Sequence, residues 1–213
     1  MNRTIESMWK EGFANDAHLT VPKINDLYNR KSQNIVDKLQ SMFAVNIKAI
    51  MLGGFIALVV MSLIGAPLLG VYINCLLLPL ILIAKKELNK SFKLSKGQSS
   101  YDYLTSFNHW LKHSIEVYAR YYKIAYPMLV LGMAVQGMYS QAGGKIIALL
   151  AEKFPTDITL FGQPFYIITA VVLITAIVAK FADALYRFDL NIIYGQQFKK
   201  LAELIADMEE LRK

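Results

Sequence analysis

The chain has 213 residues and a mass of 24.1 kDa, with 55% hydrophobic and only 18% charged side chains and a mean hydropathy of +0.35. A soluble domain of this size is less apolar, so the excess belongs in lipid. Twelve Gly and a single Cys exclude a collagenous chain and a disulfide-stapled secreted module, and the apolar content excludes a disordered tail. The net charge of +7 arises from 23 Lys+Arg against 16 Asp+Glu. It fits nucleic acid, anionic lipid or membrane orientation, and its placement decides between them.

Residues 1–45 read as a cytoplasmic N-terminal segment. The first 20 residues contain no apolar core of a cleaved signal peptide, so the first span is expected to act as the insertion signal. Thr20 stands where a cap is expected and Pro22 in a first turn. Ile24, Leu27, Tyr28, Ile35, Leu39, Met42 and Phe43 then recur at helical spacing among Lys23, Arg30, Lys31 and Lys38. A basic amphipathic helix leading into a span commonly lies on the lipid surface; the other reading is a packing surface for the remaining cytoplasmic helices.

From Ala49 to Ala84 run 36 residues without Asp, Glu, Lys or Arg. One straight helix of that length would reach about 54 Å, well beyond a hydrocarbon layer of about 30 Å. Its middle, Ile64-Gly65-Ala66-Pro67, suits a tight reversal, because Gly takes turn angles and Pro interrupts a helix interior. Residues 46–85 are therefore predicted to be a transmembrane hairpin with spans 46–64 and 68–85. Residues 86–123 begin as a basic loop, 86–99, rich in Lys and Ser. A helix resumes at 100–102, where Tyr103, Phe107, Trp110, Ile115, Tyr118, Tyr121, Tyr122 and Tyr126 form an aromatic approach to the third span. Such rings favour the lipid headgroup level; a ligand-binding aromatic cage is the alternative.

The third span is placed at 124–140, an external segment at 141–163 and the fourth span at 164–185. Gly162 and Pro164 suggest that this last helix starts near Phe165. Lys and Arg number seven in 1–48, eight in 85–123, two in 139–164 (Lys145 and Lys153) and six in 180–213. Four spans with both termini inside keep 21 of them cytoplasmic, as the positive-inside rule requires. The expected fold is thus an all-α, multi-pass integral membrane protein with four transmembrane helices, amphipathic cytoplasmic helices and N-in/C-in topology. Orientation accounts for the basic excess, and nucleic-acid binding is not expected.

In the cytoplasmic C-terminal helix, 186–213, Tyr194, Leu201, Leu204, Met208 and Leu211 fall near heptad spacing. This pattern suits a short coiled coil forming a homodimer, or a helix docked on residues 20–46. His109, His113 and Glu116 share one helix face and are weak metal candidates, since Trp110 stands where a metalloprotease needs Glu. Lys180, Asp183, Arg187 and Asp189 sit near the cytoplasmic end of the fourth span at ion-pair spacing. Lys180 and Asp183, with Asn74 and Gln136 deeper in the spans, are the transport candidates; pairing between helices and snorkelling at the interface are the structural alternatives. No phosphate loop, nucleophile elbow or paired intramembrane carboxylates occur, and Cys75 lies in a span far from any predicted base. Neither catalysis nor a cofactor is expected.

Trp9-Lys10-Glu11-Gly12-Phe13, the stretch Pro22-Lys23-Ile24-Asn25-Asp26-Leu27-Tyr28-Asn29-Arg30-Lys31-Ser32 and Ile205-Ala206-Asp207-Met208-Glu209-Glu210-Leu211 resemble the cytoplasmic ends of small bacterial multi-span inner-membrane proteins. The resemblance implies a bacterial inner membrane and no activity. The sequence points first to a non-enzymatic inner-membrane protein whose cytoplasmic helices bind a partner protein or a second copy, as a membrane-tethered regulator or assembly factor would. A small oligomeric transporter or channel is the second reading, and a metal-dependent membrane enzyme the third.

Overall fold

The computed structural model describes the backbone of residues 5–94 and 99–212, with side chains from Leu27 onward. The described residues are all-helical apart from one two-stranded hairpin. The described elements are α1 (Ile5–Leu63), α2 (Pro67–Phe92), α3 (Ser100–Met138), α4 (Gln141–Lys153), β1 (Thr159–Leu160), β2 (Gln163–Pro164) and α5 (Phe165–Glu210). Three helices among the described residues are long and apolar enough to cross a membrane: α1 from Leu27, α2 and α5. The chain is a membrane protein. The uncharged stretch that ends α3 falls short of that standard, because Tyr126, Pro127, Gly132, Gln136 and Gly137 dilute it.

The predicted reversal is present. Gly65 takes φ +80°, Ala66 donates its N–H to the Met61 carbonyl, and Pro67 opens α2 in its first turn. That arrangement uses glycine's tolerance of positive φ and proline's fitness for a position that needs no amide donor. The last helix begins at Phe165, as predicted.

Two local expectations are corrected. The helix containing Pro22 does not start at Thr20, since α1 begins at Ile5 and continues unbroken into the apolar stretch. The side chains of Thr20, Pro22, Lys23 and Ile24, and those of Trp9 to Phe13, lie outside the described residues. The basic loop is also shorter than predicted, because α2 runs on to Phe92. Lys90 pairs with Glu87 at 2.6 Å one turn away, and Leu88 and Ser91 are buried, so this Lys-rich stretch has a helical inner face. Residues 95–98 lie outside the described residues. Ser99, rather than residues 100–102, caps α3, its Oγ accepting the Asp102 N–H.

Helices α1 and α2 form one antiparallel hairpin and α3 and α5 a second. The α3–α5 pairing extends from Arg212, whose guanidinium lies 4.5 Å from the Tyr101 ring centre, to Tyr139, whose hydroxyl donates to the Phe161 carbonyl at 2.8 Å. Each long helix has two unlike halves. In the packed half, Val36 and Leu39 of α1, Leu104, Phe107 and Leu111 of α3, and Leu201 and Leu204 of α5 make one buried core. In the apolar half the outward residues are bare: Leu63 is 81% exposed, Leu68 79% and Leu82 67%. Exposed aliphatic surface on this scale belongs to a bilayer.

Packing in the apolar half depends on small residues. Gly54 and Gly70 are buried where α1 meets α2, and a Cβ on Gly70 would stand 3.1 Å from the Leu58 backbone. Gly132 receives the face of Tyr72 in the same way between α3 and α2, and the Tyr72 hydroxyl donates to the Met128 carbonyl at 2.6 Å. Beyond Met138, Ser140 caps α4, and a tight turn through Phe161 (φ +52°) and Gly162 (φ +72°) joins β1 to β2.

Candidate functional site

A cavity of about 350 Å³ lies where the packed half meets the apolar half. All four long helices contribute to it. From α1 come Asn46, Ile47 and Ile50, at the start of the first predicted span; from α2 come Leu80 and Ala84, at the end of the second. Helix α3 supplies Tyr118, Tyr122 and Tyr126, one helical turn apart and therefore on one face. Helix α5 supplies Tyr186, Asp189 and Tyr194, with Ile192 and Ile193 at the rim. Tyr122 is the centre of an aromatic stack, 4.8 Å from Tyr186 at an interplanar angle of 20° and 4.9 Å from Tyr126 at 33°. The Tyr126 hydroxyl donates to Asp189 Oδ2 at 3.1 Å.

The electrostatics of this site follow from burial. Desolvation of the phenolate, followed by the Asp189 charge, pushes the Tyr122 hydroxyl up to about 12. Burial and the Glu87 charge push Tyr118 up as well. Both rings therefore stay neutral and protonated at any cellular pH. Asp189 is the one charged side chain on the cavity wall.

The aromatic approach was expected to be an interface belt, and the structure turns most of it inward. Tyr103 and Phe107 are buried in the core, and Trp110 packs against them while its indole N–H donates to the Glu87 carbonyl at 3.1 Å. Tyr121 is half-buried and its hydroxyl donates to the Leu76 carbonyl of α2. Tyr118, Tyr122 and Tyr126 line the cavity. Residues 27–46 likewise pack against α3 and α5 instead of lying on a lipid surface. Three other helices offer apolar faces at the same level, and burial against them removes more surface from water than a flat interface does.

The transport candidates are not brought together. Asn74 donates to the carbonyls of Gly54 at 2.9 Å and Gly70 at 2.8 Å, so it ties α2 to α1. Gln136 is half-buried in α3, one turn beyond Gly132. Asp183 accepts from Arg187 at 3.0 Å, and Arg187 also reaches Glu116 of α3 at 2.7 Å. Lys180 is exposed, its ammonium 5.8 Å from the Phe181 ring centre. His109, His113 and Glu116 are all exposed, and among the described residues no three His, Cys, Asp or Glu side chains converge as a metal site would require. The interaction candidates divide: Leu201 and Leu204 are buried within the chain's own core, Met208 packs at its edge, and Leu211 is 67% exposed.

A polar seam inside the packed half had no signal in the sequence. Glu87 is buried, with Ser114 Oγ donating to its Oε2 at 3.3 Å and Lys90 on its Oε1. Gln40 donates to Ser91 Oγ at 3.1 Å across the α1–α2 contact. These residues lie on three different helices, and only the tertiary fold makes them neighbours. Comparison with protein-family models, curated proteins and solved structures finds no match to this chain.

Proposed function

We propose that this chain is a non-enzymatic, four-span protein of a bacterial inner membrane, with both termini cytoplasmic, acting as a membrane-tethered regulator or assembly factor. Its packed half would be a cytoplasmic module that holds a partner protein. The four-span part of this reading is supported by α3, which lies antiparallel along α5 through both halves of the molecule and so travels the same distance. The positive-inside balance supports the orientation.

The single observation that carries the functional reading is the continuity of the helices. Helices α1, α3 and α5 each pass without interruption from bare apolar surface into a shared core, and α2 packs beside it on α1 through Ile47, Ala84 and Leu88. The α5 stripe containing Leu201 and Leu204 already covers α1 and α3, so self-association through that stripe would require undocking it. A partner is better served by the outside of the intact bundle, where Leu27 is 50% and Leu211 67% exposed.

The test is native mass spectrometry of protein purified from its own membrane. The proposal expects the 24.1 kDa chain with a distinct soluble protein at fixed stoichiometry, lost when Leu27→Asp and Leu211→Asp are combined. A bare symmetric oligomer from the same extraction would instead favour a transporter or channel.

A further inference from the structure

The tyrosine-lined cavity has a definite chemical character. Five Tyr rings and Phe43 line the wall, one carboxylate is present, and no Lys, Arg or His lines it. The acidic groups near this level on the other faces have cationic partners: Asp183 and Glu116 share Arg187, and Glu87 has Lys90. Asp189 instead has a neutral partner, the Tyr126 hydroxyl. The wall thus presents a negative charge beside aromatic rings, the combination that attracts a cation by both Coulomb and cation–π terms. An anion would meet the Asp189 charge with no cationic group on the wall to offset it. The volume lies within the range of about 300–1,000 Å³ typical of small-ligand sites.

The rim specifies the rest of the ligand. Ile192 is 67% and Ile193 50% exposed, so one side of the cavity ends in bare apolar surface on α5. A ligand seated here would have its charged end beside the rings and an aliphatic end directed along that surface.

We propose that the cavity binds an amphiphilic organic ammonium, with its cationic group beside the Tyr122, Tyr126 and Tyr186 stack against the Asp189 carboxylate and its apolar chain leaving past Ile192 and Ile193. The site depends on the cavity itself. It needs the membrane placement only for the route of entry, and it stands or falls separately from the protein partner.

The probe is octyltrimethylammonium, measured by equilibrium dialysis against the full chain in neutral maltoside micelles, with empty micelles subtracted. One saturable equivalent per chain is expected, while octanol and octyl sulfate at equal concentration show none. Asp189→Asn, at an exposed position and with the melting temperature as a folding control, should weaken binding at least tenfold; Tyr122→Ala should weaken it about fivefold. Absence of saturable uptake, equal uptake of octanol, or unchanged binding by Asp189→Asn would overturn the assignment. The source of the ammonium is read from protein taken directly from its membrane into native mass spectrometry. A retained ethanolamine phospholipid identifies a lipid headgroup, and a ligand-free chain that takes up the probe identifies a free organic cation.

Discussion

Phe107→Ala is expected to destabilise the packed half by about 3–5 kcal/mol, the range for removing a fully buried aromatic ring. Phe107 is 0% exposed and lies between Val36 and Leu39 of α1 and Leu201 and Leu204 of α5. No single neighbour can collapse into the space, because three helices, α1, α3 and α5, converge on it. Its ring is 5.0 Å from that of Trp110, so Trp110 emission in a Trp9→Phe background reports the loss during urea titration of the solubilised protein. Phe188→Ala, at a position 65% exposed, is the matched control and should change stability by less than about 0.5 kcal/mol. Equal effects at the two positions would mean that α3 and α5 do not enclose a common core.

The second large effect is expected at Gly54. A Cβ there would stand 2.8 Å from Asn74 Oδ1 and 3.1 Å from Leu77 Cδ1, so Gly54→Leu must push α2 away from α1. Overpacking and loss of the Asn74 hydrogen bond together give about 2–4 kcal/mol. Gly53 has nothing within 4 Å of its Cβ position and faces outward, so Gly53→Leu should be close to neutral. Thermal unfolding in the same detergent compares these adjacent residues under one set of conditions. A hairpin that tolerates both equally would not have the α1–α2 contact described here.

Features set by a few consecutive residues were legible in advance. Gly65 to Pro67 marked the reversal, Gly162 to Phe165 marked the start of α5, and the four-residue spacing of Asp183 and Arg187 gave their ion pair. The tail stripe was legible as a stripe, but its partner was not, since Leu201 and Leu204 suit a second copy as well as the chain's own α1. The aromatic segment is ambiguous in sequence for a related reason. Tyr rings suit both a lipid headgroup layer and a protein interior, and only the positions of α1, α2 and α5 turn Tyr103, Tyr118 and Tyr122 inward. Glu87 was hidden by its neighbours: among Lys85, Lys86 and Lys90 it reads as a solvated residue, yet the inner face of α2 buries it beside Ser114. The cavity combines Asn46, Tyr122, Tyr186 and Asp189 from three helices, a juxtaposition without any sequence spacing.

In the proposed topology α3 crosses the membrane together with α1, α2 and α5, and the whole packed half lies on one side. Single cysteines at Ser41, Gln141 and Ala206, all exposed, in a Cys75→Ser chain are labelled in intact cells with a membrane-impermeant maleimide and again after permeabilisation. Four spans predict that Ser41→Cys and Ala206→Cys share one behaviour, reacting only after permeabilisation, while Gln141→Cys reacts in intact cells. Labelling of Ser41→Cys and Ala206→Cys from opposite sides would leave three crossings and contradict the proposed topology.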